Sequence, residues 1–225
     1  MTKLTKFANI RKTAEQRAGG PAGLKNMLSK SKSAAALKKL PDDRYLSMMS
    51  LEVFSSGLKH SMVAGKWPDF EEILFGFEPK RVAAIPDEDL EALLKESRII
   101  RHWGKIKATR HNAATMAEIS AAHGGFGAWF AAWPADDIVG LWEELQTRFS
   151  QLGGASGFYF LRMAGKDTFI LTRDTVKALN KWGAVKGEPK GKKARRNVQL
   201  VFNDWAAESG LGLAQMSRIL AASVD

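Results

Sequence analysis

The run Leu152-Gly153-Gly154-Ala155-Ser156-Gly157 interrupts one amphipathic helical pattern and starts another. Asp174 follows in Thr172-Arg173-Asp174-Thr175-Val176, 17 positions after the last of those glycines. A glycine-rich turn between two helices can hold a phosphate with backbone N–H groups at a helix N-terminus, because no side chain blocks close approach. An acidic residue placed after such a turn can then face a molecule whose phosphate the turn holds. A carboxylate beside a carbon that gains positive charge as its bond breaks stabilises that charge and can orient or deprotonate water. Taken singly, the two halves are ordinary, since Gly-Gly turns are common and an Asp at a helix start is commonly its cap. Their order along the chain is what joins them.

The elements that must position these residues are helical. Apolar spacing predicts helices almost throughout, with neither a convincing alternating strand nor a repeat of 20–50 residues, so the fold class expected is all-α. Asp42-Asp43 open a segment in which Tyr45, Leu46, Met49, Val53 and Leu58 can share much of one face, and Gly57 and Gly65 mark its weakening or end. Pro68-Asp69 and Pro86-Asp87 read as helix starts. Leu90, Leu93 and Leu94, like Ile138, Leu141, Trp142 and Leu145, carry the stripe of a packed helix. Gly124-Gly125 and Pro134 bracket the aromatic stretch Phe126–Trp133, too short to span a membrane and expected to pack internally.

Composition limits the setting in which such a site works. With 225 residues, 45% of them hydrophobic, the chain can bury a substantial core in one domain or two closely packed lobes. No apolar run reaches membrane-span length, and the basic N-terminus lacks a secretory apolar core, so a cytoplasmic, nucleoid-associated protein is expected. The chain has no cysteine, which excludes disulfides and thiolate metal sites. The net charge of +10 is concentrated. Residues 1–40 hold ten Lys/Arg against Glu15 alone, and residues 181–196 hold seven against Glu188, leaving the remainder mildly acidic. Lys192, Lys193, Arg195 and Arg196 are read as a basic loop suited to a polyanion, the alternative being a solvated linker.

Leu51-Glu52-Val53-Phe54-Ser55-Ser56-Gly57-Leu58 resembles the LExxxxGL helix of the 3-methyladenine DNA glycosylase I family. The likeness continues without a gap through Phe75-Gly76-Phe77-Glu78-Pro79-Lys80-Arg81-Val82-Ala83-Ala84 and Ile99-Ile100-Arg101-His102-Trp103-Gly104-Lys105-Ile106 to Asn112-Ala113. It covers about a quarter to a third of the chain, and the glycine-rich turn lies where that family would place its helix-hairpin-helix. The resemblance implies a two-lobed helix-hairpin-helix DNA glycosylase. Residues 1–40 would form a basic N-terminal segment of the second lobe. Residues 41–179 would form a central lobe with the hairpin at about 145–165, and residues 180–225 a basic loop and helices completing the second lobe.

In such an enzyme Glu52 falls on the base-recognising carboxylate and Asp174 on the catalytic carboxylate of the wider superfamily. Gly153, Gly154, Ala155, Ser156 and Gly157 would hold phosphate, and Phe54, His60, Trp103, Trp129 and Tyr159 would be base-pocket candidates, with His102 a further stacking candidate. The activity implied is hydrolytic excision of an alkylated purine from damaged double-stranded DNA by a monomer, leaving an abasic site and using water as cosubstrate, with no cofactor. Residue spacing alone leaves Glu52, Ser55, Ser56 and Lys59 as the wet face of a helix.

The sequence also departs from the family. Residues 1–40 lack the family's zinc-binding cysteines and its HDxEWG segment, and His60, His102, His111 and His123 show no ligand spacing, so no metal is expected. His60 stands where the family has a stacking aromatic. The lysine that bifunctional relatives use would fall near Phe158, and Lys166 reads as a flexible, solvated side chain. Two further readings stay open: a non-catalytic helix-hairpin-helix DNA-binding protein, and a glycosylase for a different lesion.

Overall fold

The computed structural model describes residues 4–225, and among them there are helices and no strands. Fifteen α-helices follow in order: α1 (Phe7–Arg17), α2 (Pro21–Met27), α3 (Ala34–Lys39), α4 (Asp42–Ser55), α5 (His60–Gly65), α6 (Trp67–Ile73), α7 (Pro79–Ala83) and α8 (Asp87–Ala92). Then come α9 (Trp103–His123), α10 (Phe126–Ala132), α11 (Ile138–Arg148), α12 (Ala155–Ala164), α13 (Arg173–Lys181), α14 (Gly191–Ser209) and α15 (Leu213–Ala222). They form two compact units. One comprises Met1–Lys32, Pro134–Leu141 and Gly165–Asp225; the other comprises Ser33–Trp133 and Trp142–Ala164. The divisions thus fall earlier than residues 40 and 179, and α13, with Asp174, groups with the chain termini.

In the unit containing Ser33–Trp133, α4 is buried on most of its circumference. Tyr45 packs on Phe126 and Phe130 at ring distances of 5.0 and 5.1 Å, and Phe54 packs on Phe70 at 4.5 Å. The aromatic stretch is core as expected, with Phe126, Trp129 and Phe130 all buried. It can lie close to α3 because Gly127 has no side chain. A Cβ there would sit 2.8 Å from the Leu37 carbonyl oxygen, which also accepts a 2.7 Å hydrogen bond from the Tyr45 hydroxyl. The 21-residue α9 starts on His102, whose Nδ1 accepts from the Lys105 amide at 3.3 Å, and it ends on the left-handed Gly124.

The Phe75–Pro79 motif makes a sharp corner. Phe75, Gly76 and Phe77 are all left-handed, with φ of 55°, 63° and 60°. Arg44 holds the corner, donating to the Gly76 carbonyl at 2.6 Å and bidentately to Glu71 at 2.9 and 2.8 Å. Burial raises the Glu71 pKa, but the hydrogen bonds from Arg44 and Ser47 outweigh it and keep the carboxyl below its ordinary range. Phe77 is buried and stacks on Trp67 at 5.3 Å. Glu78 then caps α7 by accepting from the amides of Lys80 and Arg81, with Pro79 as the first helical residue.

The other unit is organised by α14, whose Val198, Phe202 and Trp205 are buried. Phe202 stacks on Phe169 at 4.1 Å, and Trp205 meets Phe7 at 5.5 Å. Glu208 accepts from the amides of Phe7 and Ala8 at the start of α1. Asp167 does the same for Leu213 and Ala214 at the start of α15 and also accepts from Ser31. These carboxylates satisfy amides that a helix start leaves without partners.

Candidate functional site

Two helices frame the glycine-rich turn as expected, α11 ending at Arg148 and α12 beginning at Ala155. Gly154 is left-handed, with φ 68° and open space where a side chain would stand. Gly157 is needed for a different reason: its Cβ would fall 2.5 Å from the Leu152 carbonyl oxygen, so the turn closes tightly over the start of α12. Phe158 is buried against Trp142 at 4.2 Å and anchors the second helix of the hairpin.

Polar side chains along α9, all but His111 buried, fix the turn. Asn112, at 0% exposure, accepts from the Ser150 amide at 2.7 Å and donates to the Ser150 carbonyl at 3.1 Å. His111 Nε2 lies 3.1 Å from the Arg148 carbonyl; since that oxygen can only accept, Nε2 carries the proton. Thr115 also donates to this carbonyl. At the start of the same helix, buried Lys105 donates to the carbonyls of Phe54 (3.0 Å) and Ser56 (2.7 Å), closing the C-terminus of α4. Burial lowers the Lys105 pKa. Lys105 and Asn112 lie inside the matching motif, which does not by itself single them out. Their signal was a spacing of polar residues, Lys105, Thr109 and Asn112, that follows a helix face continuing to buried Met116.

Glu52 lies on α4, half-buried, and no described residue gives its carboxylate a hydrogen bond or ion pair. Burial raises its pKa, partly opposed by His60. It is therefore not a freely wet side chain of the kind that spacing alone allowed. His60 is exposed at the first position of α5. Trp103, half-exposed at the start of α9, has the Lys107 ammonium 5.1 Å from its ring centroid. Tyr159 on α12 is 44% exposed, whereas Trp129 is buried beside Phe126 and Trp133. Phe54 corrects its expected place at a pocket wall: it is 0% exposed, its ring taken up by Phe70 and Trp67, and it has no surface to offer a base.

These residues and the hairpin belong to one unit; Asp174 and the basic quartet belong to the other. Asp174 is exposed in the first turn of α13, but it is not the cap. Thr172 caps that helix, its hydroxyl accepting from the Thr175 amide at 3.2 Å. No described residue makes a hydrogen bond or ion pair with the Asp174 side chain. Lys192, Lys193, Arg195 and Arg196 lie in the first two turns of α14, which corrects the expected basic loop; helical spacing sets Lys192 beside Arg195 and Arg196. Lys166 is not solvated either: it is 6% exposed, and burial lowers its amine to about 8 against the opposing pull of Asp167.

Residues 36–151 match the methyladenine glycosylase family. Over 70 residues the chain is 37% identical to DNA-3-methyladenine glycosylase 1 of Escherichia coli strain K12, an overlap of 31% of this chain and 37% of that protein's length. The chain therefore spans little more than a third of the curated relative it matches. The structure of Staphylococcus aureus 3-methyladenine DNA glycosylase I is similar in fold, with a TM-score of 0.51 and 22% identity over 64% of this chain and 85% of that one. The 8-oxoguanine DNA glycosylase of Methanocaldococcus jannaschii gives a TM-score of 0.57 at 13% identity, over 93% of this chain and 91% of that one. Its likeness extends through the region that follows residue 151, and the fold is the all-α helix-hairpin-helix DNA glycosylase fold. With more than half of its length matched to the family model, the chain belongs to the methyladenine glycosylase family.

Proposed function

We propose that this protein excises alkylated purines of the 3-methyladenine type from double-stranded DNA, acting as a monomer and leaving an abasic site. The observation that carries the reading is Glu52, a half-buried carboxylate without a hydrogen-bond partner among the described residues, inside the family-matched region. The names of the E. coli and S. aureus relatives supply the substrate class.

In this reading the amides of Gly153, Gly154, Ala155, Ser156 and Gly157 hold a phosphate at the start of α12, where the helix dipole favours negative charge. Extruding a base costs a few kcal/mol, less when the base is damaged. An aromatic face can return about 1–3 kcal/mol, and Trp103 and Tyr159 retain exposed surface for this, as does His60, whereas the buried ring of Trp129 does not. Glu52 accepts from the edge of the base and favours its electron-poor, cationic form. Asp174, free of capping duty, stabilises the developing charge on the sugar and orients the attacking water. A cationic purine leaves readily, so no strong general acid is required. Lys192, Lys193, Arg195 and Arg196 follow the DNA backbone.

The test is chromatographic identification of the bases released from methylated duplex DNA by wild-type protein, Glu52→Gln and Asp174→Asn, each checked for folding. Release of 3-methyladenine that both substitutions reduce supports the assignment. Salt-sensitive DNA binding without release would reject it in favour of a different lesion or a non-catalytic DNA-binding role. Borohydride added during reaction with abasic DNA should trap no covalent complex, because buried Phe158 stands near the place of the lysine in bifunctional relatives; trapping that Lys166→Met abolishes would instead assign a lyase step to Lys166.

A further inference from the structure

Phe75 combines two features that a folded chain ordinarily avoids. Its backbone is left-handed, with φ 55°, and its ring is 40% exposed. Backbone strain of this kind persists only where the surrounding structure imposes it, and it collects at sites that grip a ligand. The ring borders a groove of about 400 Å³ with an apolar lining of Ile73, Phe75, Ile85, Pro86 and Leu93. That volume is within the range of binding sites. Two charged residues, Arg81 and Asp89, also line it, and neither is paired. The Arg81 guanidinium lies 4.2 Å over the Phe75 ring and has no carboxylate partner among the described residues. Asp89 has no hydrogen bond or ion pair among them. Its helix, α8, also carries exposed Glu88 and Glu91, while Asp87 is held by Arg110 at 2.6 Å.

We propose that this groove docks a short segment of a partner protein, one that inserts an apolar side chain and carries an acidic group for Arg81 and a basic group for Asp89. The charge pattern selects that occupant. In a chain of net charge +10, the carboxylates of α8 make a local acidic flank that repels phosphate, so DNA does not fit it. A segment bearing both signs beside an apolar anchor complements it. An exposed aromatic ring next to an arginine is also the kind of surface on which protein interfaces concentrate their binding energy. The groove lies away from the hairpin. Arg110 of α9 supports its wall by donating to the Ile85 carbonyl at 2.9 Å. Asn112, two positions on and about 200° round the helix, holds the hairpin turn instead. A partner seated in the groove therefore leaves the turn open. The proposal does not depend on the alkylpurine reading.

The test selects random peptides displayed on phage against the full-length wild-type protein, with counter-selection on Ala84→Trp, which fills the groove from a residue that also lines it. The enriched peptides should share an apolar residue with Asp or Glu to one side and Lys or Arg to the other. A synthetic peptide of that sequence, followed by fluorescence anisotropy, should lose at least about 10-fold in affinity with each of Ala84→Trp, Arg81→Glu and Asp89→Lys. All three positions are exposed, and thermal midpoints confirm that the variants fold. The peptide should bind equally well with and without duplex DNA present. A selection that enriches nothing, or peptides that bind Ala84→Trp as well as wild type, overturns the proposal. So do groove-dependent peptides whose affinity ignores both charge reversals, and peptides that duplex DNA displaces. A wild-type dimer in sedimentation that Ala84→Trp dissolves would give the groove to a second copy of this chain and overturn the heterologous partner.

Discussion

Replacing Asn112 by alanine cuts the two hydrogen bonds through which α9 holds the hairpin turn. The Ser150 amide loses a 2.7 Å acceptor and its carbonyl loses a 3.1 Å donor. An unsatisfied buried polar group costs about 1–3 kcal/mol. Ser150 is half-buried, so water can reach part of the loss, while the truncated amide leaves a small void beneath the turn. Together these give about 2–4 kcal/mol. In a protein of this size each kcal/mol corresponds to roughly 2–4 °C, so the midpoint should fall by about 5–15 °C. The assay is a urea and thermal melt of Asn112→Ala and Asn112→Asp, with duplex DNA affinity measured well below both transitions. Asn112→Asp keeps the acceptor for the amide but sets a carboxylate oxygen against the Ser150 carbonyl, so it should be no more stable than the alanine variant. DNA binding should weaken in both, because the amides of the turn are no longer held in one arrangement. A midpoint within 1–2 °C of wild type would refute the claim that this amide fixes the hairpin.

Gly157→Ala should destabilise more than Gly154→Ala, since the former sets a methyl group 2.5 Å from a backbone oxygen and the latter meets open space and only a backbone penalty at φ 68°; denaturant midpoints in the opposite order would contradict the turn geometry. Lys166 binds its proton less tightly in the folded state, near 8, than in the unfolded chain, near 10.5. The unfolded chain therefore holds more protons between those values, and stability should rise with pH across that interval; stability measured against pH should lose this rise in Lys166→Met. Neutralising Lys192, Lys193, Arg195 and Arg196 should flatten the log–log salt dependence of DNA binding by about 0.9 for each side chain that neutralises a phosphate, and an unaltered slope would remove this face of α14 from the DNA contact.

The parts of the fold that local chemistry encodes were legible. The start of α4 at Asp42-Asp43, the aromatic core segment and the hairpin at its glycines follow from capping, periodicity and turn residues, each carried by a few neighbours in sequence. What escaped depends on partners far along the chain. Phe54 and Glu52 are both pocket candidates by the family resemblance, and only the rings of Phe70 and Trp67, brought in by α6, assign Phe54 to the core. Lys166 looks solvated because it follows Gly165, yet the chain around it is buried. The Lys192–Arg196 cluster resembled a linker because lysine and arginine mask periodicity; Val198, Phe202 and Trp205 beyond it carry the spacing that makes it the opening of a helix. Thr172 takes the capping role that Asp174 could have filled, a choice between two competent residues that only backbone geometry resolves.

The left-handed corner at Phe75–Phe77 bears on the order of folding. A non-glycine residue in that conformation costs about 1–2 kcal/mol, and here two phenylalanines adopt it in one three-residue turn. Within the turn the Phe77 amide donates to the Leu74 carbonyl at 2.8 Å and the Glu78 amide to the Phe75 carbonyl at 3.3 Å, and Arg81 lies 4.2 Å over the Phe75 ring. The distant part of the compensation comes from Arg44, 32 residues away from Gly76, and from the stacking of Phe77 on Trp67. The corner thus gains its long-range support only when α4 and α6 are docked. It should be among the last features to assemble and the first to yield, so weakening Arg44 would speed unfolding and leave the folding rate nearly unchanged.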